Sequence, residues 1–112
     1  MSALRFLSGY RLMWMMVMFD FPTVNKAERK EYTRFRNYLL DSGFSMTQYS
    51  VYFRLVSSKE RVKRFERQIA NQLPRAGKVQ IITITDKQYE NIKSFYGKST
   101  TEQQKNNQLQ LF

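Results

Sequence analysis

The chain carries apolar stretches of differing period, and the period changes mark its elements. "LMWMMVMF", Leu12 to Phe19, has no polar interruption and no two-residue alternation, which predicts a strand buried on both faces. Asp20 and Pro22 close it, because proline cannot donate to a central ladder. "NKAE", Asn25 to Glu28, has the form of a capping box, with Asn25 at the N-cap and Glu28 reaching back. The helix it opens repeats Tyr32, Phe35, Tyr38 and Leu39 at three- and four-residue spacing, and "DSG" at Asp41 to Gly43 supplies its stop.

Phe44 to Val56, "FSMTQYSVYFRLV", is rich in aromatic and β-branched residues but too long for an ordinary single strand, which predicts two strands divided near Gln48 to Ser50. A second helix follows, capped by Ser57 or Ser58, with Val62, Phe65, Ile69 and Leu73 on its buried stripe. Pro74 and Gly77 punctuate its end, and "KVQIITIT", Lys78 to Thr85, is a strand by β-branched content. "DKQYENIKSFYG" predicts a short helix or turn followed by a partial strand. "KSTTEQQKNNQ", Lys98 to Gln108, is a polar linker, and "QLQLF", Gln108 to Phe112, alternates as a short edge strand does.

The order β-α-β-β-α-β is that of the α+β, ferredoxin-like split βαβ fold, with an antiparallel sheet and both helices on one face, here extended by a C-terminal edge strand. The expected organisation is an N-terminal extension over 1–10, one domain over 11–97, and a linker with docking strand over 98–112. Such a fold hosts many functions, so it does not choose one. Neither "SVYFRLV" nor "VQIITIT" carries the Gly- and aromatic-rich run of an RNA-recognition motif.

Composition removes several chemistries. With neither Cys nor His, the chain has no disulfide, thiol nucleophile, imidazole base or commonest metal ligand. Absence of Cys suits a reducing cytoplasm. Nineteen Lys and Arg against nine Asp and Glu leave +10 on 112 residues, a charge that favours a polyanionic partner. The longest apolar run is far short of the ~20 residues of a spanning helix, and "MSALRFLSGYR" lacks the core and cleavage site of a signal peptide, so a cytoplasmic protein without membrane contact is expected. Lys26, Arg29, Lys30 and Arg36 occupy the outer face of the first helix, and Lys59, Arg61, Lys63, Arg64 and Arg67 that of the second. Lys26, Arg29, Lys30, Arg75 and Lys78 are the expected contacts to a duplex backbone. The Met13, Met15, Met16, Met18 cluster reads as core packing, and packing is also favoured over base stacking for Tyr49, Tyr52 and Phe53. Asp20 is open to two readings: an Asx turn ahead of Pro22, the commoner fate of such a residue, or a metal ligand.

"MFDFPT", "ERKEYTRFRNYLLDSGF", "QYSVYFRL" and "ITITDKQY" resemble, in family order over residues 11–97, the second universal CRISPR-associated adaptation protein, the small partner of the CRISPR integrase. "NNQLQLF" is similar to the tail of members from systems with one large effector nuclease, while the roughly nine residues before the first strand depart from the shorter lead of many members. The resemblance implies a homodimer bridging two integrase dimers on double-stranded protospacer DNA. It also implies that Asp20, as catalytic and metal-binding residue, meets its twofold mate around Mg²⁺, with nuclease activity dispensable for integration. Leu109, Leu111 and Phe112 are expected to dock as a strand on the dimer mate or the integrase. A free-standing metal-dependent nuclease, or a generic RNA-binding ferredoxin-like domain, stays open as an alternative.

Overall fold

The computed structural model describes residues 12–98. Its elements are β1 (Met13–Asp20), α1 (Lys26–Asp41), β2 (Ser45–Gln48), β3 (Val51–Val56), α2 (Lys59–Ala70), β4 (Lys78–Thr85) and a short α3 (Asp86–Glu90). The four strands form one antiparallel sheet in the order β2-β3-β1-β4, which is the ferredoxin-like arrangement the element order predicts. The N-terminal extension and the C-terminal docking strand lie outside the described residues.

Local chemistry sets the boundaries. Asn25 accepts from the Glu28 amide at 2.8 Å while the Glu28 carboxylate accepts from the Asn25 amide at 3.1 Å, a complete capping box at the start of α1. At the other end, Phe44 N–H donates to Leu39 O and Gly43 N–H to Leu40 O, a Schellman closure. It requires left-handed backbone at Gly43, where φ is +89°. Ser58 rather than Ser57 caps α2. That helix ends at Ala70, so Leu73, expected on its buried stripe, lies past the end and is 47% exposed.

Met15, Val17 and Phe19 of β1 pack with Phe35 and Leu39 of α1, Val62 and Ile69 of α2, and Tyr52 and Val56 of β3 in one core. Both helices therefore cover the same sheet face. The expectation that β1 is buried on both faces is corrected: Met15, Val17 and Phe19 are buried, but Trp14, Met16 and Met18 are only half-buried and Asp20 is exposed. The strand alternates in burial although not in hydrophobicity, because its second face points away from the helices. Register places Val51, Phe53 and Leu55 of β3, and Lys78, Gln80, Ile82 and Ile84 of β4, on that outward face beside Met18, Met16, Trp14 and Asp20. Among the described residues only α3 leans over it, at the Trp14 end. Tyr89 stacks on Trp14 with centroids 3.7 Å apart, meets Phe53 edge-on at 5.2 Å, and buried Asp86 accepts from Trp14 Nε1 at 2.8 Å. After α3, residues 92–97 form no strand, against the partial strand expected there. Phe95 in this stretch is 88% exposed.

Candidate functional site

Asp20 is the last residue of β1, on the outward face, opposite Lys78 in the β4 register. A shallow depression of about 190 Å³ surrounds it, lined by Met18, Asp20, Tyr49, Ser50, Val51, Lys78 and Gln80. Gly77 makes the close approach of the next loop possible: a Cβ there would lie 3.0 Å from the Asp20 carbonyl and against the Phe21 ring, and its φ is +121°. The Asx-turn reading of Asp20 finds no support, since among the described residues no hydrogen bond or ion pair holds its side chain.

The β2–β3 turn forms one wall of the depression. Ser50 adopts φ +63°, a left-handed conformation costly for a non-glycine residue. Two bonds hold it. The Phe19 amide donates to Ser50 O at 3.1 Å, and the Ser50 hydroxyl shares a 2.9 Å hydrogen bond with Tyr32 OH of α1. Burial, with neighbouring Tyr49, pushes the Tyr32 hydroxyl up to about 12 against the opposing effect of the Ser50 bond. Tyr49, immediately before Ser50, stacks one ring face on Tyr32 at 5.5 Å and 15°. It remains 74% exposed.

The three aromatic residues grouped as packing thus separate. Tyr52 is fully buried, and burial raises its hydroxyl pKa against the nearby Arg36 charge. Phe53 is buried under Tyr89 and Trp14. Tyr49 is a surface ring beside Asp20, a difference no periodicity reveals, because a two-residue turn can aim its side chains either way.

The basic residues fall into two groups. Lys26, Arg29, Lys30 and Arg34 line a second, open depression along α1 with Thr33 and Asn37. Arg29 also braces the helix entry, donating to Val24 O at 2.8 Å, and Arg34 is fixed by Glu31 at 3.1 Å and by the Gln72 carbonyl at 2.7 Å. Sequence reasoning passed over Arg34, although its four-residue step from Lys30 puts both on one helix face. Lys78 belongs to the Asp20 depression instead, and Arg75 is exposed on the α2–β4 loop. One further cation, Arg54, faces the helices, donating to Ser42 O at 3.1 Å and lying 4.8 Å over the Phe65 ring, with burial lowering its pKa.

Whether this site suits Mg²⁺ turns on its donors. Among the described residues no group of three or more His, Cys, Asp or Glu converges, and Asp20 is the one carboxylate among the described residues lining the depression. Mg²⁺ keeps several waters and is usually held by one or two carboxylates, so Asp20 with a symmetric copy of itself fits and Asp20 alone fits poorly. No helix among the described residues is long and apolar enough to cross a membrane.

Fold and site together define a small, strongly basic ferredoxin-like protein with a strand-end carboxylate on a sheet face that, among the described residues, α3 alone partly covers. The family model for CRISPR associated protein Cas2 matches residues 13–92. A CRISPR-associated endoribonuclease Cas2 of Paracidovorax avenae is 56% identical over 99 residues, covering 88% of this chain and 92% of that protein. One from Flavobacterium psychrophilum is 45% identical over 107 residues, covering 95% and 93%. The crystal structure of Streptococcus pyogenes Cas2 at pH 6.5 superposes with a TM-score of 0.59 over 74% of this chain and 99% of that one; at 12% identity it speaks for the fold. The chain belongs to the CRISPR-associated Cas2 family.

Proposed function

We propose that this chain is the small subunit of the CRISPR spacer-acquisition complex: a homodimer that holds double-stranded protospacer DNA on its basic surface, bridges integrase dimers inside the cell, and forms a Mg²⁺-dependent nuclease site from two Asp20 side chains. One observation carries the reading. Asp20 stands at the end of an apolar sheet face that α1 and α2 leave uncovered and α3 covers at the far end alone, so a twofold contact through that face gathers both carboxylates while burying Met16, Met18 and Ile82. A bound Mg²⁺ supplies a lowered water pKa and charge neutralisation at a phosphodiester. The chain's own residues hold the cation through Asp20 and set a phosphate beside it through Lys78. Lys26, Arg29, Lys30 and Arg75 contact the duplex backbone without reading bases. Leu109, Leu111 and Phe112 dock as an added strand on an open sheet edge of the mate or on the integrase.

The relatives' name, endoribonuclease, favours a second reading as a free-standing nuclease. Asp20→Asn separates the two. Spacer capture with the integrase survives under the first reading, while any Mg²⁺-dependent cleavage disappears; loss of spacer capture together with cleavage would make hydrolysis the function.

A further inference from the structure

We propose that Ser50 is a positioning residue for Asp20: its left-handed backbone, held in place by the Tyr32 hydroxyl, fixes the strand end from which the carboxylate reaches a cation. The inference rests on the reading of Asp20 as a Mg²⁺ ligand. Among the described residues no hydrogen bond or ion pair orients the Asp20 side chain, so its place is set by the backbone that carries it. That backbone is pinned from the buried side. Phe19 and Phe21, the chain neighbours of Asp20, are buried, and both pack on Phe35 and Tyr32 of α1, with ring centroids 5.3 Å and 6.4 Å from that of Tyr32.

On the β3 side the ladder stops too early to hold the strand end. The β1–β3 register closes at the pair Met18 and Val51, the residue before Phe19. Ser50 supplies a further bond, accepting from the Phe19 amide at 3.1 Å through the carbonyl that its left-handed backbone, at φ +63°, presents to β1. A serine resists that backbone, because its Cβ crowds the following carbonyl oxygen. What keeps it there is the 2.9 Å hydrogen bond between its hydroxyl and Tyr32 OH. Tyr32 thus acts on the strand end by two routes, packing its ring on Phe19 and Phe21 and keeping the Ser50 carbonyl on the Phe19 amide. A strained residue tied by its backbone to the residue before a metal ligand stands where outer supports of metal sites stand, and losing one such support typically weakens the metal roughly 10- to 100-fold.

Substitutions at the two hydroxyls separate the strain from the bond. Ser50→Ala keeps the Cβ and removes the hydroxyl, and Tyr32→Phe keeps the ring contacts and removes the other half of the bond. Ser50→Gly removes the hydroxyl together with the strain, since glycine adopts positive φ without steric cost. Calorimetry reads the Mg²⁺ binding that Asp20→Asn abolishes, on samples whose dimeric state is checked by light scattering. Ser50→Ala and Tyr32→Phe should bind Mg²⁺ roughly 10- to 100-fold more weakly, while Ser50→Gly and the double variant Tyr32→Phe/Ser50→Gly stay close to wild type. Urea unfolding of the same set measures the fold separately. A turn that serves stability alone lowers the urea midpoint of Ser50→Ala and leaves its Mg²⁺ affinity unchanged; that result overturns the proposal and leaves Asp20 as the ligand. A double variant as weak as Tyr32→Phe, or a loss of Mg²⁺ that follows dissociation of the dimer, overturns it equally, because the hydroxyl then acts by another route. A wild type that binds no Mg²⁺, or whose binding survives Asp20→Asn, overturns the reading of Asp20 itself and the role of Ser50 with it.

Discussion

At the scale of single residues, the left-handed Gly43 and Tyr32 carry consequences that can be measured. Gly43→Ala forces a Cβ into the left-handed region, which costs roughly 1–2 kcal/mol, and drives it into the Arg54 guanidinium that is anchored on Ser42 O and Phe65. Thermal unfolding should therefore fall by at least about 4–8 °C, as expected for ~1 kcal/mol in a domain of this size. Calorimetry checks it. Tyr32 adds a pH dependence whose sign follows from linkage. Its folded pKa is raised from 10.0 to about 12, so the unfolded state loses its proton first and binds fewer protons across that interval. The stability that Tyr32 contributes by staying neutral is whole below pH 10 and is lost as pH rises to about 12. Tyr52 and Tyr89, also raised by burial, act in the same direction, so Tyr32→Phe should flatten the fall in urea midpoint above pH 10 without abolishing it. Residue chemistry of this kind was partly legible. Gly43 declares itself as a helix stop, whereas the left-handed Ser50 gives no signal, because serine only occasionally adopts that backbone and the contacts imposing it come from Phe19 and Tyr32, both distant in sequence.

At the scale of elements, the pattern of polar and apolar positions located most of the secondary structure, and its misses share one cause. The capping box at Asn25 and Glu28, the break between Gln48 and Val51, and β4 from Lys78 to Thr85 all follow from local chemistry that the chain contains by itself. What failed depends on surroundings the chain does not supply. β1 reads as doubly buried because Trp14, Met16 and Met18 are apolar, yet among the described residues only α3 covers part of their face. "NIKSFYG" reads as a partial strand because of its apolar and aromatic content, yet it pairs with no strand among the described residues. The outward residues of β1 and the apolar residues Ile92 and Phe95 have the composition of buried structure and the exposure of surface, a combination that marks interaction surfaces. The local signals are directly testable. Asn25→Ala removes the acceptor for the Glu28 amide at 2.8 Å and half of the capping box, and should cost about 1 kcal/mol, read as a lowered urea midpoint at unchanged m-value.

At the scale of the whole molecule, charge and the uncovered face decide how the protein meets its partners. On the proposed duplex-binding role, a net charge of +10, with Lys26, Arg29, Lys30 and Arg34 collected along α1, should make affinity steeply salt-dependent, and each of Lys26 and Lys30 replaced by alanine should lower the log–log salt slope by roughly one. Titrations at several salt concentrations measure that slope. The uncovered face governs the carboxylate. Ile82 is 47% exposed, opposite Met16 in register and four residues along β4 from Lys78, the partner of Asp20, on the same face, so it lies within the surface that the proposed twofold contact would bury. Ile82→Lys places a charge in that contact and, by symmetry, a second one near it, while in the separated chain the side chain stays in water. The substitution should leave unfolding within about 0.5 kcal/mol for the isolated domain, as exposed changes usually do, and convert the species seen by light scattering at micromolar concentration from dimer to monomer. Mg²⁺ binding, measured by calorimetry, should vanish with the dimer although Asp20 is intact, because a lone carboxylate is a poor site for a hard cation. A variant that stays dimeric and still binds Mg²⁺ would place the interface elsewhere and separate the two Asp20 side chains; one that becomes monomeric yet keeps Mg²⁺ would show that a single chain completes the site.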